Sequence, residues 1–197
     1  MRIVLSFLLV VVISTSSISQ ISFGVKGGLN LTKTVYNNLP IGFTSDNEPS
    51  WTSGLHVGVF GQVKLSENLS IIPELQFSQR GYKVTYAVTK ISSSIGISYL
   101  ELPILLSYRI KPIGIDFGPN ISYRLSSTLA DAYKDFDFGV EGGIRAYLTE
   151  KIFITARYYY GITEISEIIF FDFSGRTVGT VTEHNRAIQF GIGYKIK

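Results

Sequence analysis

Tyr99-Leu100-Glu101-Leu102-Pro103-Ile104-Leu105-Leu106-Ser107-Tyr108-Arg109-Ile110 alternates with a period of two. Leu100, Leu102, Ile104, Leu106, Tyr108 and Ile110 fall on one side of an extended chain. Glu101, Pro103, Ser107 and Arg109 fall on the other. Successive side chains of a strand point to opposite faces, so the segment reads as a strand with one apolar and one polar face. Its length suffices to cross a bilayer as a tilted strand of about ten residues.

The same rhythm runs outward in both directions. Phe23–Leu31, Leu55–Lys64 and Leu69–Arg80 precede it, and Ile113–Leu125, Phe136–Leu148, Ile152–Tyr160 and Ile188–Ile196 follow. Across these eight segments one face is almost free of charge, while the other carries Gly, Ser and Asn with isolated ions. A soluble barrel would bury the apolar face and present an outer face rich in Lys, Glu and Thr. Small residues beside isolated charges fit a narrow lumen, and an uncharged face fits lipid. The expected fold is therefore all-β: an eight-stranded antiparallel up-and-down transmembrane β-barrel.

The connections give the orientation. Leu65–Asn68, Ile110–Ile113 and Leu148–Lys151 are tight, whereas Thr32–Ser53, Gly81–Gly96, Ser126–Asp135 and Gly161–Ala187 are long. Short turns on one side and long loops on the other assign the turns and both termini to the periplasm and the loops to the outside. Tyr108 and Tyr194 then fall near the periplasmic interface, and Tyr123, Tyr158 and Tyr160 near the outer one, as an aromatic girdle requires.

The inner phase collects Lys26, Arg109, Arg124, Arg145, Arg157 and Lys195 with Glu74, Glu101, Asp116, Asp137 and Glu141. Six basic and five acidic residues nearly cancel. Buried charges must be paired, so these residues are expected to form an interior salt-bridge network. Eight strands enclose a lumen only as wide as packed side chains, so the network should plug it.

The length is enough for one domain, or two very small ones. The 197 residues are 45% hydrophobic and 17% charged, with no Cys and two His. Thiolate sites and cysteine nucleophiles are excluded, and a multi-histidine metal centre is disfavoured. A net charge of +3 is too small for a nucleic-acid surface. Arg2, the apolar run Ile3–Ile13 and the small polar stretch Ser14–Ser19 have the three regions of a secretory signal peptide. Residues 1–19 are the expected signal peptide and 20–197 the barrel domain, with Ser17 and Ser19 at the cleavage site.

The chain resembles the small outer-membrane β-barrel proteins of the Bacteroidetes, the PorT family. The resemblance rests on Phe23-Gly24-Val25-Lys26-Gly27-Gly28-Leu29-Asn30, on Tyr99-Leu100-Glu101-Leu102-Pro103-Ile104-Leu105-Leu106, and on Gly118-Pro119. It implies an outer-membrane location and supplies no catalytic residues. One departure is the end, where Tyr194 is followed by Lys195, Ile196 and Lys197 and the strand does not finish on an aromatic residue.

Other chemistry finds little support. His184 beside Glu183, and His56, with Asp46, Glu48 or Asp172 as acidic partners, are the residues an outer-membrane barrel enzyme would need. Asp131, Asp135 and Asp137 lack the spacing and the glycine of a calcium loop. Gly27-Gly28 and Gly142-Gly143 stand at no strand-to-helix junction and are not phosphate loops. The apolar stretch Ile165–Phe173 reads as an extension of the last two strands above the membrane, or as an exposed adhesive edge.

The expected role is structural or interactive, through the extracellular loops, with no cofactor, no metal and no enzymatic activity. A small transport pore and a soluble lipocalin-like binding barrel are the alternatives. The partners expected are outer-membrane lipid and lipopolysaccharide, the outer-membrane assembly machinery, and an unidentified extracellular or periplasmic protein. The expected state is a monomer.

Overall fold

The computed structural model describes residues 21–38, 49–85, 90–129, 132–171 and 174–196. The expected signal peptide and Asp46, Glu48, Asp131 and Asp172 lie outside the described residues. The described chain is strand throughout: β1 (Ile21–Asn37), β2 (Thr52–Lys64), β3 (Leu69–Thr85), β4 (Ser92–Ile110), β5 (Ile113–Ser127), β6 (Phe136–Tyr147), β7 (Ile152–Gly161), β8 (Ser166–Phe171) and β9 (Thr177–Lys195).

They form one sheet in the order β1-β2-β3-β4-β5-β6-β7-β9-β8, and β1 also pairs with β9. Every pairing is antiparallel. The first strand thus meets the last along Gly24↔Lys195 to Asn37↔Thr182. β7 pairs with β9 from Tyr194 to Arg186, and β8 takes up the edge of β9 beyond it, from Glu183 to Thr177. β8 is therefore an additional short strand where β7 has ended.

Burial alternates as the period of two demands. Phe23, Val25, Leu29 and Leu31 of β1 are exposed, while Ser22, Lys26 and Asn30 are buried. In β4 Leu100, Leu102, Ile104 and Leu106 are exposed, while Glu101 and Ser107 are buried. The sheet turns its apolar face outward and its polar face inward, the reverse of a water-soluble barrel. An apolar surface of this extent is unstable in water and stable against lipid.

The strands run further than the hydropathy pattern. β1 continues to Asn37, β3 to Thr85, β4 starts at Ser92 and β9 at Thr177. Much of the sequence expected as loop, 32–53, 81–96 and 161–187, is paired strand. The physical reason is that beyond the bilayer the outer face of a strand meets water and need not be apolar, while the inner face there packs side chains such as Tyr82 and Ile97. Alternation then ends, although backbone pairing does not. At the opposite end the turns are tight: Leu148 N and Thr149 N both donate to Ile152 O, and Thr149 Oγ1 accepts from Lys151 N and Ile152 N.

Inward glycines receive inward aromatic rings. A Cβ on Gly193 would lie 2.2 Å from the Phe153 ring, and one on Gly24 would lie 2.5 Å from Phe60. The bare backbone there lets the two rings fold across the lumen, 5.3 Å apart and edge to face.

Candidate functional site: an ionic interior between two aromatic layers

The lumen is built in layers. At the short-turn end Phe60, Ile72, Leu105 and Phe153 are buried together with Tyr147 against them. Phe60 is an aromatic residue in the otherwise polar phase of the second segment, and its place in this layer accounts for it.

Above this layer lies the first ionic cluster. Arg157 of β7 spans the barrel to Glu74 of β3 with two parallel bonds of 2.9 Å. The same guanidinium reaches Asp116 at 2.9 Å and Glu141 at 3.1 Å. Lys26 of β1 pairs with Glu74. Arg145 of β6 donates to Asp116 through Nε at 3.2 Å and Nη2 at 3.0 Å, and stacks over the Phe153 ring. Three cations thus face three carboxylates, from five strands, all buried. Bidentate guanidinium–carboxylate pairs are the strong geometry for such a site.

Amides join this cluster to a second. Asn120 Nδ2 donates to Glu141 at 2.9 Å and to Glu101 at 3.3 Å. Gln76 donates to Glu101 at 2.6 Å. Arg80 of β3 then pairs with Glu101 at 2.7 Å and Asp137 at 3.1 Å, and lies 3.8 Å over the Tyr159 ring. Asn185 donates to Asp137 at 2.8 Å and to the Tyr99 hydroxyl at 3.2 Å. A side branch holds His56, whose Nδ1 lies 2.8 Å from Asn30 Oδ1, while Asn30 Nδ2 donates to Ser78 and to the Leu55 and Gln79 carbonyls.

The outer layer is aromatic. Tyr82, Ile97, Tyr99, Tyr133 and Ile165 are buried in one cluster. Tyr133 comes from the connection after β5 and meets the Tyr82 hydroxyl at 2.9 Å. Lys134 N donates to Ile165 O and Ile165 N to Glu183 O, so two connections are tied down over the mouth.

Of the eleven residues expected inside, Lys26, Glu74, Glu101, Asp116, Asp137, Glu141, Arg145 and Arg157 lie in these clusters. Arg109, Arg124 and Lys195 lie apart from these clusters, at the strand ends. Arg109 pairs with Glu150 at 3.8 Å and stacks on Tyr147, and Arg124 pairs with the exposed Asp135 at 2.7 Å. Lys195 is half-buried at the short-turn end. Near a strand end the inner phase opens to water, so phase alone does not bury a charge. Arg80 was absent from the expected network, although its six-residue spacing from Glu74 puts it in phase. The neutral partners Gln76, Asn120 and Asn185 carry no charge signal and could not be found by counting charges.

The expected girdle residues Tyr108, Tyr123, Tyr158, Tyr160 and Tyr194 all face outward, 44–47% exposed. His56 is on the inner phase of β2 and His184 on the outer phase of β9, paired with Val35, so the two imidazoles do not converge. Among the described residues no group of three His, Cys, Asp or Glu side chains could hold a metal ion.

A family model described as the outer membrane protein beta-barrel domain matches residues 14–167. The fold is similar to that of the outer membrane protein OprG from Pseudomonas aeruginosa, at 14% identity and a TM-score of 0.50, over 90% of this chain and 97% of that chain. It is also similar to Neisserial surface protein A, at 13% identity and a TM-score of 0.53, over 88% of this chain and 97% of that chain. At such identities the likeness concerns the fold alone. No curated protein matches the chain in sequence.

Proposed function

Because the chain belongs to the outer membrane protein beta-barrel domain family and is a protein of the outer membrane, we propose that it is a closed barrel of eight strand positions with a plugged lumen. β8 serves in this reading as an outward continuation of the seventh position. The protein is non-catalytic and acts as a structural or interaction barrel, presenting its long connections to the outside. Residues 1–19 are its signal peptide, and the cues around Glu101, Pro103 and Gly118-Pro119 align it with PorT-type barrels.

The observation that carries this reading is Arg157, which bridges β7 to carboxylates of β3, β5 and β6. A side chain so held cannot swing aside without taking a cation from three buried carboxylates and leaving Glu141 with no cation, because Lys26 and Arg145 serve Glu74 and Asp116. Water or solute therefore has no continuous path past it.

Planar-bilayer recordings on refolded protein test the plug. The expected trace is flat. Reproducible conductance steps from the folded protein would instead make transport the function.

A further inference from the structure

The two ends of the barrel carry different charge. At the long-connection end cations meet acids: Arg124 pairs with Asp135, and Lys134 with Glu164 and Glu167. At the short-turn end Lys64, Arg109, Lys111, Lys151 and Lys195 stand with only Glu67 and Glu150 as acids among the described residues. The plugged-barrel reading uses none of these five cations.

Strand phase puts three of them on the inner face. Lys64 continues the buried row of Phe60 and Gln62 on β2, Arg109 that of Leu105 and Ser107 on β4, and Lys195 follows the buried Gly193 on β9. Phe60 and Phe153, with Tyr147 against them, form the floor beneath these side chains. The three cations therefore share one cup, and their fields overlap. The Lys195 ammonium lies in the fields of Lys64, Arg109 and Arg145, with Glu150 opposing them.

Arg109 is the anchor of the cup. Its guanidinium lies 3.9 Å over the Tyr147 ring, which fixes its plane. Its contact with Glu150 is long, 3.8 Å, and that carboxylate is turned out to water. Arg109 Nε and the Tyr147 hydroxyl are buried and have no hydrogen-bond partner among the described residues. Buried donors beside converging cations match acceptor oxygens that carry negative charge. Charge and direction then select the class of anion. A carboxylate is planar, carries one charge and matches one guanidinium fork. Cations from β2, β4 and β9 approach from three sides, and a tetrahedral group with about two charges presents an oxygen to each. The headgroups of the surrounding lipid lie outside the wall, whereas these three side chains belong to its inner face.

We infer that the short-turn mouth is a binding cup for a phosphate dianion, either the free ion or the phosphate-monoester end of a soluble molecule. The site goes beyond the plugged-barrel reading and rests on it only for the side of the membrane it faces, the periplasm.

Equilibrium dialysis of the folded protein in octyl glucoside micelles, in buffer free of phosphate and sulfate, tests the cup independently of orientation and of conductance. The ligands are inorganic phosphate, glycerol phosphate and acetate. Phosphate should bind about tenfold more tightly than acetate. Glycerol phosphate bound as tightly as inorganic phosphate assigns the ester end, and binding of inorganic phosphate alone assigns the free ion. Arg109→Gln and Lys195→Gln should each weaken phosphate binding about tenfold, whereas Lys83→Gln, exposed toward the opposite end, leaves it unchanged. Heat-modifiable gel migration shows that each variant is folded. Acetate bound as tightly as phosphate, no phosphate retained at millimolar ligand, or unchanged affinity in folded Arg109→Gln overturns the cup.

Discussion

The stretch of barrel between the tyrosine rows and the hairpin above it obey different physics with the same backbone. Within the span, β7 and the lower half of β9 pair as Ile154↔Ile192 and Ala156↔Phe190, with apolar side chains toward lipid and Arg157 and Gln189 turned inward. In the hairpin, β8 pairs with the upper half of β9 as Ile168↔Val181 and Ile169↔Thr180. There Glu167, Ile168 and Ile169 are exposed in succession. Lipid outside and ions inside force a strict alternation; water outside does not, even where Val181, Thr182 and Glu183 are buried. The chemistry of a position in this protein is set by its height along the barrel as much as by its phase.

The comparison can be broken most forcefully at Arg157. Arg157→Ala leaves Glu74, Asp116 and Glu141 with Lys26 and Arg145 as the cations of the cluster, and removing one partner from a buried ionic site costs about 3–5 kcal/mol. Urea unfolding in micelles should register that loss. A loss below about 1 kcal/mol, the scale of exposed ion pairs, would place water in the cluster.

The second test sets the two heights side by side. Ile144 and Ile169 are exposed to similar extents, 54% and 50%. Ile144 lies at the level of Ala156 in mid-span, so Ile144→Arg should cost roughly 2–4 kcal/mol in a bilayer. Ile169→Arg, on the hairpin, should stay within about 0.5 kcal/mol. Equal costs would mean that the hairpin also lies in lipid.

A third, smaller effect concerns Glu183, on the part of β9 that runs beyond β7 and outside the span. Burial pushes its carboxyl up to about 7 from an ordinary value of 4.5. The raised value means that the folded state favours the neutral acid. Its contribution to stability is complete below 4.5 and is lost as pH rises through about 7. Glu183→Gln removes this dependence. The urea midpoint of the wild type should fall relative to the variant between pH 5 and pH 8, and parallel curves would mean that Glu183 is hydrated. Least affected should be Lys134→Ala, which breaks the exposed pair with Glu167 at 2.6 Å and should cost under about 1 kcal/mol in the same assay.

These contrasts also explain what the sequence could tell. Leu100 to Ile110 reads correctly as a strand because lipid and lumen impose opposite chemistry on neighbouring residues. β8 and the start of β9 lie where that constraint lapses, so Ser166–Phe171 reads as an ambiguous apolar stretch. Within the lumen, Glu74, Glu101 and Asp116 are legible from phase. Their partners are not, because Glu74 and Arg157 are 83 residues apart and meet only through the barrel's curvature. Arg109 and Arg124 share the inner phase, yet their height near the strand ends leaves them partly hydrated.

The plugged lumen is tested most directly by a cysteine placed within it. Ser122 is fully buried beside Arg80, and the chain has no other thiol to confuse the readout. Folded Ser122→Cys should resist a small water-soluble thiol reagent added to either side of a vesicle, while Ser174→Cys is modified rapidly. Modification of Ser122→Cys at a rate near that of Ser174→Cys would contradict the plug and open the lumen to water.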